Sequence, residues 1–353
     1  MHIAPSALEP SSSGTDAPHD PLRRRRRPHR VTTLVALIVA VAAASAAGVV
    51  STARSQVDRI ARVEGLQSIL SPPSPTVENF LLVGSDSREG AEPTDADFGG
   101  IGSATDVTGR RSDTIMVLRR DKLLGTASLL SIPRDLWVSM ASTGKKNRIN
   151  SAYQSGPAEL VATVQTALGL PIHHYVEIDF QGFKAVVDAV GGVTMCFLSP
   201  TRDTHTGLNI TEPGCPLLDG VQALAFARSR YFESFVDGEW KIDGTADLGR
   251  IRRQQVFVNV ALKAALNKVK GNPFAAGDVL ISSTSALRLD RALDVLQAAG
   301  VMRTAFGAGL QTFSLPVLGK TVDGKAVLVL TDSAQALLSY FRGDVSQPPV
   351  ANP

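Results

Sequence analysis

The sequence predicts an α/β fold of the α/β/α sandwich type: a mixed β-sheet covered by helices on both faces, preceded by one N-terminal transmembrane helix. Three observations carry this expectation. Short apolar runs that read as buried strands alternate with longer stretches of helical periodicity, the pattern of a sheet with helices packed on it. The first three runs follow one another with no helix between them, so the sheet is expected to be mixed and not wholly parallel. Residues 31–50 contain no charged side chain, and a helix of that length spans roughly 30 Å, about the hydrocarbon thickness of a bilayer.

From the N-terminus, residues 1–22 are rich in Ser, Pro, Ala and His without apolar periodicity, and too little surface can be buried there to offset the entropy of ordering. Arg23 to Arg27 and Arg30 follow, so residues 1–30 are expected to form a disordered cytoplasmic tail with a basic end. Arginines on this flank predict that the tail stays inside and the remaining chain lies outside, a single-pass type II protein of the cytoplasmic membrane. A cleaved signal peptide ending near Ala43-Ala44-Ser45-Ala46 is the alternative. An arginine run also suits nucleic acid, but set directly against an apolar span it reads as a topology signal. The formal net charge of +3 gives no global field toward nucleic acid either, and 44% hydrophobic with 20% charged residues fits a globular body.

Residues 51–78 are expected to be an extracytoplasmic linker, with an amphipathic helix over 51–70 stopped by Ser71-Pro72-Pro73-Ser74-Pro75. The main body is expected over 79–344, followed by a flexible tail at 345–353. Its strands are expected at 80–83, 114–118, 127–132, 175–178, 193–197, 312–315 and 326–330, and its helices at 157–168, 180–190, 221–228, 247–268, 289–305 and 333–341. Asp219 is placed to cap the 221–228 helix. Cys196 and Cys215, the only cysteines, fall in the exported part, where oxidising surroundings favour a disulfide over two buried thiols. Closing a loop of that size contributes roughly 3 kcal/mol in the chain-entropy account.

Common enzyme signatures are missing. His2, His19 and His29 lie in the tail, and His173, His174 and His205 have neither metal-binding nor triad spacing. There is no Gly-x-Ser-x-Gly elbow. Gly319-Lys320-Thr321 resembles the end of a phosphate loop, but Ser314 stands where its first glycine is required. What remains is a set of Asp and Arg residues at strand ends, where α/β sheets place ligands: Gly84-Ser85-Asp86-Ser87-Arg88, Arg111-Ser112-Asp113 and Ile132-Pro133-Arg134-Asp135. Taken singly, each also fits a turn cap or a surface ion pair. On a helix, Asp247, Arg250 and Gln254 share one face. Arginines at the mouth of a buried helix are costly unless paired. With Arg148, Arg228 and Arg230 nearby in sequence, they suit a phosphate or diphosphate gripped by guanidinium forks and a Mg²⁺ ion on two hard carboxylates.

Those motifs, together with Arg148-Ile149-Asn150-Ser151-Ala152-Tyr153, Val190-Gly191-Gly192-Val193, Leu218-Asp219-Gly220, Ala227-Arg228-Ser229-Arg230 and the stretch from Asp247 to Gln255, occur in one order. In that order they resemble the LytR-CpsA-Psr family of bacterial cell-wall ligases. The resemblance implies a transferase that takes a glycopolymer from a polyprenyl-diphosphate carrier and joins it to peptidoglycan. A muramic acid hydroxyl would attack the sugar-side phosphorus and leave a phosphodiester. It implies Asp86 and Asp113 as Mg²⁺ ligands, and Arg88, Arg111, Arg134, Arg148, Arg228, Arg230, Arg250 and Gln254 as diphosphate ligands. Arg134, Arg228, Arg230, Arg250 and Asp113 would carry catalysis, with Asp247 completing the shell. The general base is left open, with Asp113 considered.

Arg148 stands where many relatives have lysine, so charge is kept but fork geometry differs. Residues 231–246 form a longer segment with Phe232, Phe235 and Trp240, readable as a lid near acceptor or lipid or as a surface insertion. The family fold also implies an apolar tunnel for the lipid, for which Phe183, Val187, Val258 and Leu262 are candidates that sequence cannot separate from ordinary core. The implied partners are the lipid-linked glycopolymer, peptidoglycan and the membrane lipid. Two alternatives stay open: a pyrophosphatase acting on the same carrier, and a non-catalytic wall-binding or regulatory protein.

Overall fold

The core of the fold is a seven-stranded mixed sheet whose strands lie side by side in the order 61–63, 287–290, 174–178, 77–85, 112–121, 127–132 and 310–314. In this computed structural model the described residues are 58–86, 112–271, 287–295, 298, 307 and 309–349. The expected cytoplasmic tail at 1–30, the expected transmembrane helix at 31–50, and the candidates Arg88 and Arg111 lie outside them, and the side chain of Asp247 is likewise not described. The sheet strands are β1 (Ala61–Val63), β2 (Val77–Ser85), β3 (Ser112–Asp121), β4 (Ala127–Ile132), β7 (His174–Ile178), β14 (Leu287–Asp290) and β15 (Leu310–Ser314). As expected from the missing crossovers, β2, β3 and β4 run antiparallel, whereas β7 pairs parallel with β2 and β15 parallel with β4.

Alternation along these strands supplies two apolar faces, and each is covered. On one, Leu81, Val83, Val117, Leu130 and Tyr175 pack with α1 (Pro157–Leu168) and α5 (Ala334–Arg342) through residues such as Leu160, Val164, Leu338 and Phe341. The other face carries α2 (Phe180–Val190), α3 (Gly220–Arg228) and α4 (Ala246–Gly271). Helix starts follow local chemistry: Asp179 accepts from Gly182 N and Asp219 from Gln222 N, each at an N-cap. The remaining strands form small ribbons: β5 (Trp137–Ser139) with β6 (Lys146–Arg148), β8 (Val193–Thr194) with β11 (Leu217–Leu218), and β16 (Val317–Val322) with β17 (Lys325–Leu330). A four-stranded sheet joins β9 (Thr201–Asp203), β10 (Leu208–Ile210), β12 (Glu233–Val236) and β13 (Glu239–Ile242). Cys196 and Cys215 are joined by a disulfide that closes the loop between β8 and β11.

Two expectations need correction. The amphipathic helix over 51–70 does not form across its described part: Ala61–Val63 is a strand that pairs with β14. Ile60 and Leu66 are buried in the core, so from residue 58 the expected linker is built into the body. The helix expected at 289–305 begins as strand β14, because the Leu287 and Leu289 backbone fills the gap between β1 and β7. The segment 231–246, readable from sequence as a lid or as a surface insertion, carries an ordered hairpin. It is the β12–β13 hairpin, hydrogen-bonded to β9 and held by Phe235 against Trp240 and by the Arg202 guanidinium over the Trp240 ring.

At the end of β2 away from the strand-end motifs, Glu78, His174 and Asp290 form an ion cluster. His174 Nδ1 lies 3.2 Å from Asp290 Oδ2 and Nε2 lies 3.6 Å from Glu78 Oε1. Arg120 and Lys122 also face Glu78, at 2.8 and 3.3 Å. Neighbouring His173 accepts from Asn79 N and is held below its ordinary value, chiefly by burial. Burial opposes charging of His174, but the two carboxylates outweigh it and raise its pKa from 6.5 to about 9. The hydrogen bond from His174 leads the causes that lower Glu78 from 4.5 to about 2. A raised histidine pKa stabilises the fold fully below 6.5 and ceases to do so as pH rises through about 9. A depressed glutamate pKa does so above 4.5 and fails as pH falls toward 2. Urea unfolding should therefore show a loss of roughly 3 kcal/mol between pH 6 and pH 10 that His174→Phe abolishes; an unchanged alkaline slope in the variant would contradict the assignment.

Candidate active site

The site begins with an irregularity in the pairing of β2 and β3. Ser85 pairs with Ser112 and Gly84 with Thr114, so Asp113 has no residue opposite it. A bulge of this kind re-aims a side chain and bends the strand. Gly84 eases the close approach here: a Cβ at this position would stand 3.0 Å from Thr114 Cβ, so the threonine would have to shift. Asp86 follows directly on the Ser85–Ser112 pair. The hydroxyls of Ser85 and Ser112 are buried at the same corner and have no hydrogen-bond partner among the described residues.

Asp113 is gripped from two sides. β4 ends at Ile132, Pro133 stops the ladder, and Arg134 turns back so that its Nη1 donates to Asp113 Oδ1 at 2.7 Å. The Arg134 Nε lies 3.6 Å from Asp135, which Arg148 Nε approaches to 3.4 Å. Opposite them, α4 docks its first turns through polar side chains. Arg250, only 3% exposed, donates from Nη2 to the Asp113 carbonyl at 2.9 Å. Gln254 Nε2 reaches Thr114 Oγ1 and the Ala227 carbonyl, and Gln255 Nε2 ties Ser131 to Phe313 and Ser314. Arg228, at the end of α3, lies 4.5 Å over the Phe180 ring, a cation–π contact.

Arg230 sits in the turn after α3, and the residue that shapes this turn was not legible in the sequence. Asp203, fully buried on β9, accepts from Ser229 Oγ and from the backbone N–H groups of Arg230 and Tyr231 at 2.7 to 3.0 Å. Arg253 closes the turn from α4 by donating to the Ser229 carbonyl and pairing with Asp243 at 2.7 Å. Burial lowers the Arg253 pKa. The Asp243 carboxyl, although burial raises it, is held below its usual range by hydrogen bonds from Thr245 and Arg253. Asp203 lacks any motif neighbour, since its signal is only that a carboxylate closes a short strand.

This corner is the mouth of a cavity of about 270 Å³ between the sheet and α2, α3 and α4. Asp113, Thr114, Arg228, Arg250 and Gln254 stand at its polar end, while Met116, Val176, Phe183, Leu224, Phe257 and Val258 supply an apolar wall. Phe183 packs on Phe257 with ring centroids 5.2 Å apart. Of the four tunnel candidates, Phe183 and Val258 line the cavity; Val187 is instead core, packed with Val193 and Phe226, and Leu262 is not among the lining residues. Of the charged candidates, the structure groups Asp113, Arg134, Arg228, Arg250 and Gln254. Arg148 joins them only through Asp135 and donates to the Ala326 carbonyl on β17.

A narrow apolar cavity ending on carboxylate and guanidinium groups suits an amphiphile with an anionic head. The model of the LytR_cpsA_psr family matches residues 45–340.

The chain belongs to the LytR-CpsA-Psr family.

It is 34% identical over 268 residues to a probable cell wall biosynthesis protein, LcpB, of Corynebacterium glutamicum, covering 75% of this chain and 61% of that protein. It is 30% identical over 261 residues to the polyisoprenyl-teichoic acid–peptidoglycan teichoic acid transferase TagU of Oceanobacillus iheyensis, covering 72% and 71%. Among solved structures, a LytR-Csp2A-Psr enzyme from Actinomyces oris superposes with a TM-score of 0.60 at 23% identity, over 80% of this chain and 96% of that one. The mixed sheet with helices is thus the fold of the LytR-CpsA-Psr family. Within the family motifs, Tyr153 has a structural part: with Tyr175 it donates to the buried Glu177 carboxylate, fixing the 3₁₀ segment Ile149–Ser155 to the sheet.

Proposed function

We propose that this protein is a phosphotransferase that moves a glycopolymer from a polyprenyl-diphosphate carrier to a peptidoglycan hydroxyl. One observation carries the reading: a single cavity runs from an apolar wall to a mouth built of Asp113, Arg228 and Arg250, with Arg134 bound to Asp113. The lipid of the carrier fits the wall, and the diphosphate fits the mouth. The transferase name of the Oceanobacillus relative supports the reaction class. In the reaction the acceptor oxygen bonds to the sugar-side phosphorus, the bond to the bridging oxygen breaks, and polyprenyl phosphate leaves with that oxygen. The hydroxyl proton is released.

The chain's own residues supply position and charge. Arg134, Arg228, Arg230 and Arg250 hold the phosphate oxygens and stabilise the charge that gathers on them in the transition state. Asp86 and Asp113 at the strand bulge are hard oxygen donors of the kind Mg²⁺ takes one or two of, with phosphate and water filling its remaining positions. The partnerless Ser85 and Ser112 hydroxyls leave the same corner suited to a hydrated cation. When bound, the ion would neutralise charge on the diphosphate. Incubation with a lipid-diphosphate glycopolymer and a muropeptide should yield a polymer–muropeptide adduct by mass spectrometry. Polymer phosphate released without adduct would mean a pyrophosphatase, and intact donor a binding protein.

We further infer that residues 31–50 tether the domain to the outer face of the cytoplasmic membrane, because a carrier lipid keeps its diphosphate at the bilayer surface. Removing residues 1–50 should weaken turnover on membrane-embedded donor far more than on a short, soluble analogue. Equal loss on both would contradict the tether's role.

A further inference from the structure

Beside the Arg134–Asp135 corner lies a second, open cleft of about 480 Å³, formed by the β16–β17 hairpin and the start of α4. Asp135, Thr245, Lys320 and Thr321 line it, with Leu248 and Leu328 among its apolar residues. Nothing in the carrier reading uses it. We propose that this cleft is the acceptor subsite, taking a polyhydroxylated glycan strand with carboxylate substituents and presenting its hydroxyl to the phosphorus past Asp135. The proposal rests on the transferase reading above and deepens it.

Geometry favours this assignment. Arg134 is a bridge: its Nη1 binds Asp113 at the mouth of the lipid cavity at 2.7 Å, and its Nε faces Asp135 of the cleft at 3.6 Å. Arg134 thus joins a residue that lines the lipid cavity to a residue that lines the cleft. Phosphoryl transfer places the attacking and leaving oxygens roughly in line. If polyprenyl phosphate departs toward the apolar cavity, the incoming hydroxyl must come from outside it, and the cleft is the neighbouring space tied to the same arginine through Asp135.

The chemistry of the walls agrees. Hydroxyls, an ammonium and a carboxylate over aliphatic side chains suit a sugar ring, which is polar at its edge and apolar on its C–H face. Lys320 supplies a cation for a carboxylate on the glycan, and Asp135 accepts a hydrogen bond from the attacking hydroxyl. As the new O–P bond forms and the bridging P–O bond breaks, the hydroxyl proton passes to solvent.

The cleft is also fixed to the chemistry. Leu328 N donates to the Asp135 carbonyl at 3.0 Å, and Leu136 bridges Leu328 in parallel. Arg148 holds Ala326 O at 2.8 Å while its Nε faces Asp135 at 3.4 Å. A hairpin pinned to the catalytic corner in this way holds an acceptor in a defined register. It also gives Arg148 a positioning role on the acceptor side of the site.

The test uses the full chain and a soluble muropeptide. Gly319 lies in the cleft, and a Cβ there meets no atom within 4 Å, so Gly319→Trp fills the space without a backbone clash. Calorimetric titration of muropeptide should show at least about a tenfold loss of affinity in Gly319→Trp and in the double variant Lys320→Ala/Thr321→Ala, the size expected for losing a charge-assisted contact. Binding of a short polyprenyl-diphosphate analogue should stay within about twofold of wild type, since no contact to it is altered. Unchanged muropeptide affinity in both variants, or an equal loss of donor affinity, would overturn the proposal. Because binding is read apart from turnover, wild-type protein that binds muropeptide at the cleft yet forms no adduct would sink the transferase reading alone.

Discussion

Replacing Arg134 with alanine should lower transfer from a lipid-diphosphate donor by roughly a thousandfold with little change in melting temperature, the loss typical of removing a donor aimed at transition-state charge. Arg134 is the side chain that holds Asp113 in place from β4 and also faces Asp135. Both members of the Asp113 pair are partly solvent-exposed, so breaking it costs only about 1 kcal/mol of stability. Lysine at the same position keeps the charge and loses the fork, so it should restore part of the rate. Arg250→Ala makes a useful contrast. That guanidinium is buried and bound to the Asp113 carbonyl, so its loss should cost about 2 kcal/mol of stability in addition to rate. Single-turnover kinetics and thermal melts on the two variants check both statements. An Arg134→Ala enzyme that transfers normally would remove this corner from the chemistry.

The second large effect concerns the lipid. Val258 lines the apolar wall of the cavity between α4 and the sheet. Val258→Trp adds a ring system to a space of about 270 Å³, and an overpacked position of this kind typically costs about 1–3 kcal/mol of stability. Affinity for a long-chain polyprenyl diphosphate should fall by about a hundredfold or more, since several buried methylenes, each worth about 0.8 kcal/mol, lose their place. A donor with a chain too short to reach Val258 should be bound and transferred at nearly the wild-type rate. Equal effects on long and short donors would show that the cavity does not hold the lipid.

Much of the architecture was legible because simple periodicity carried it. The strands around 80–83, 114–118 and 127–132 are apolar runs, and Asp219 caps its helix as expected. Strand β1 was not legible. The segment Ala61–Val63 has charged Arg62 at its centre and gains its strand geometry from a partner more than two hundred residues away. The same holds for β14, where Leu287 and Leu289 fit a helix or a strand until β7 is known to stand beside them.

The site divides in the same way. Asp113, Arg134, Arg228, Arg250 and Gln254 could be named from the motifs, and the structure brings them to one corner. That Asp113 is the unpaired residue of a bulge follows from the register of two strands and from no local pattern. Asp203 was missed because its three acceptor contacts are to a turn twenty-six to twenty-eight residues later. Conversely, Val187 was singled out for its place on an apolar helix face, and the face it occupies turns out to be core. Helical position alone cannot tell a cavity wall from packing; that depends on whether the facing element leaves a gap.

The central claim is that one cavity holds both parts of the carrier, with the isoprenoid against the apolar wall and the diphosphate at the mouth. A crystal structure of residues 51–353 soaked with a polyprenyl diphosphate and Mg²⁺ tests it directly. The account predicts isoprenoid density along Phe183, Leu224 and Val258, with diphosphate oxygens within hydrogen-bond reach of Arg134, Arg228 and Arg250. It also predicts a metal peak beside Asp86 and Asp113. An isoprenoid chain bound elsewhere, with this cavity filled by protein side chains or water, would contradict it.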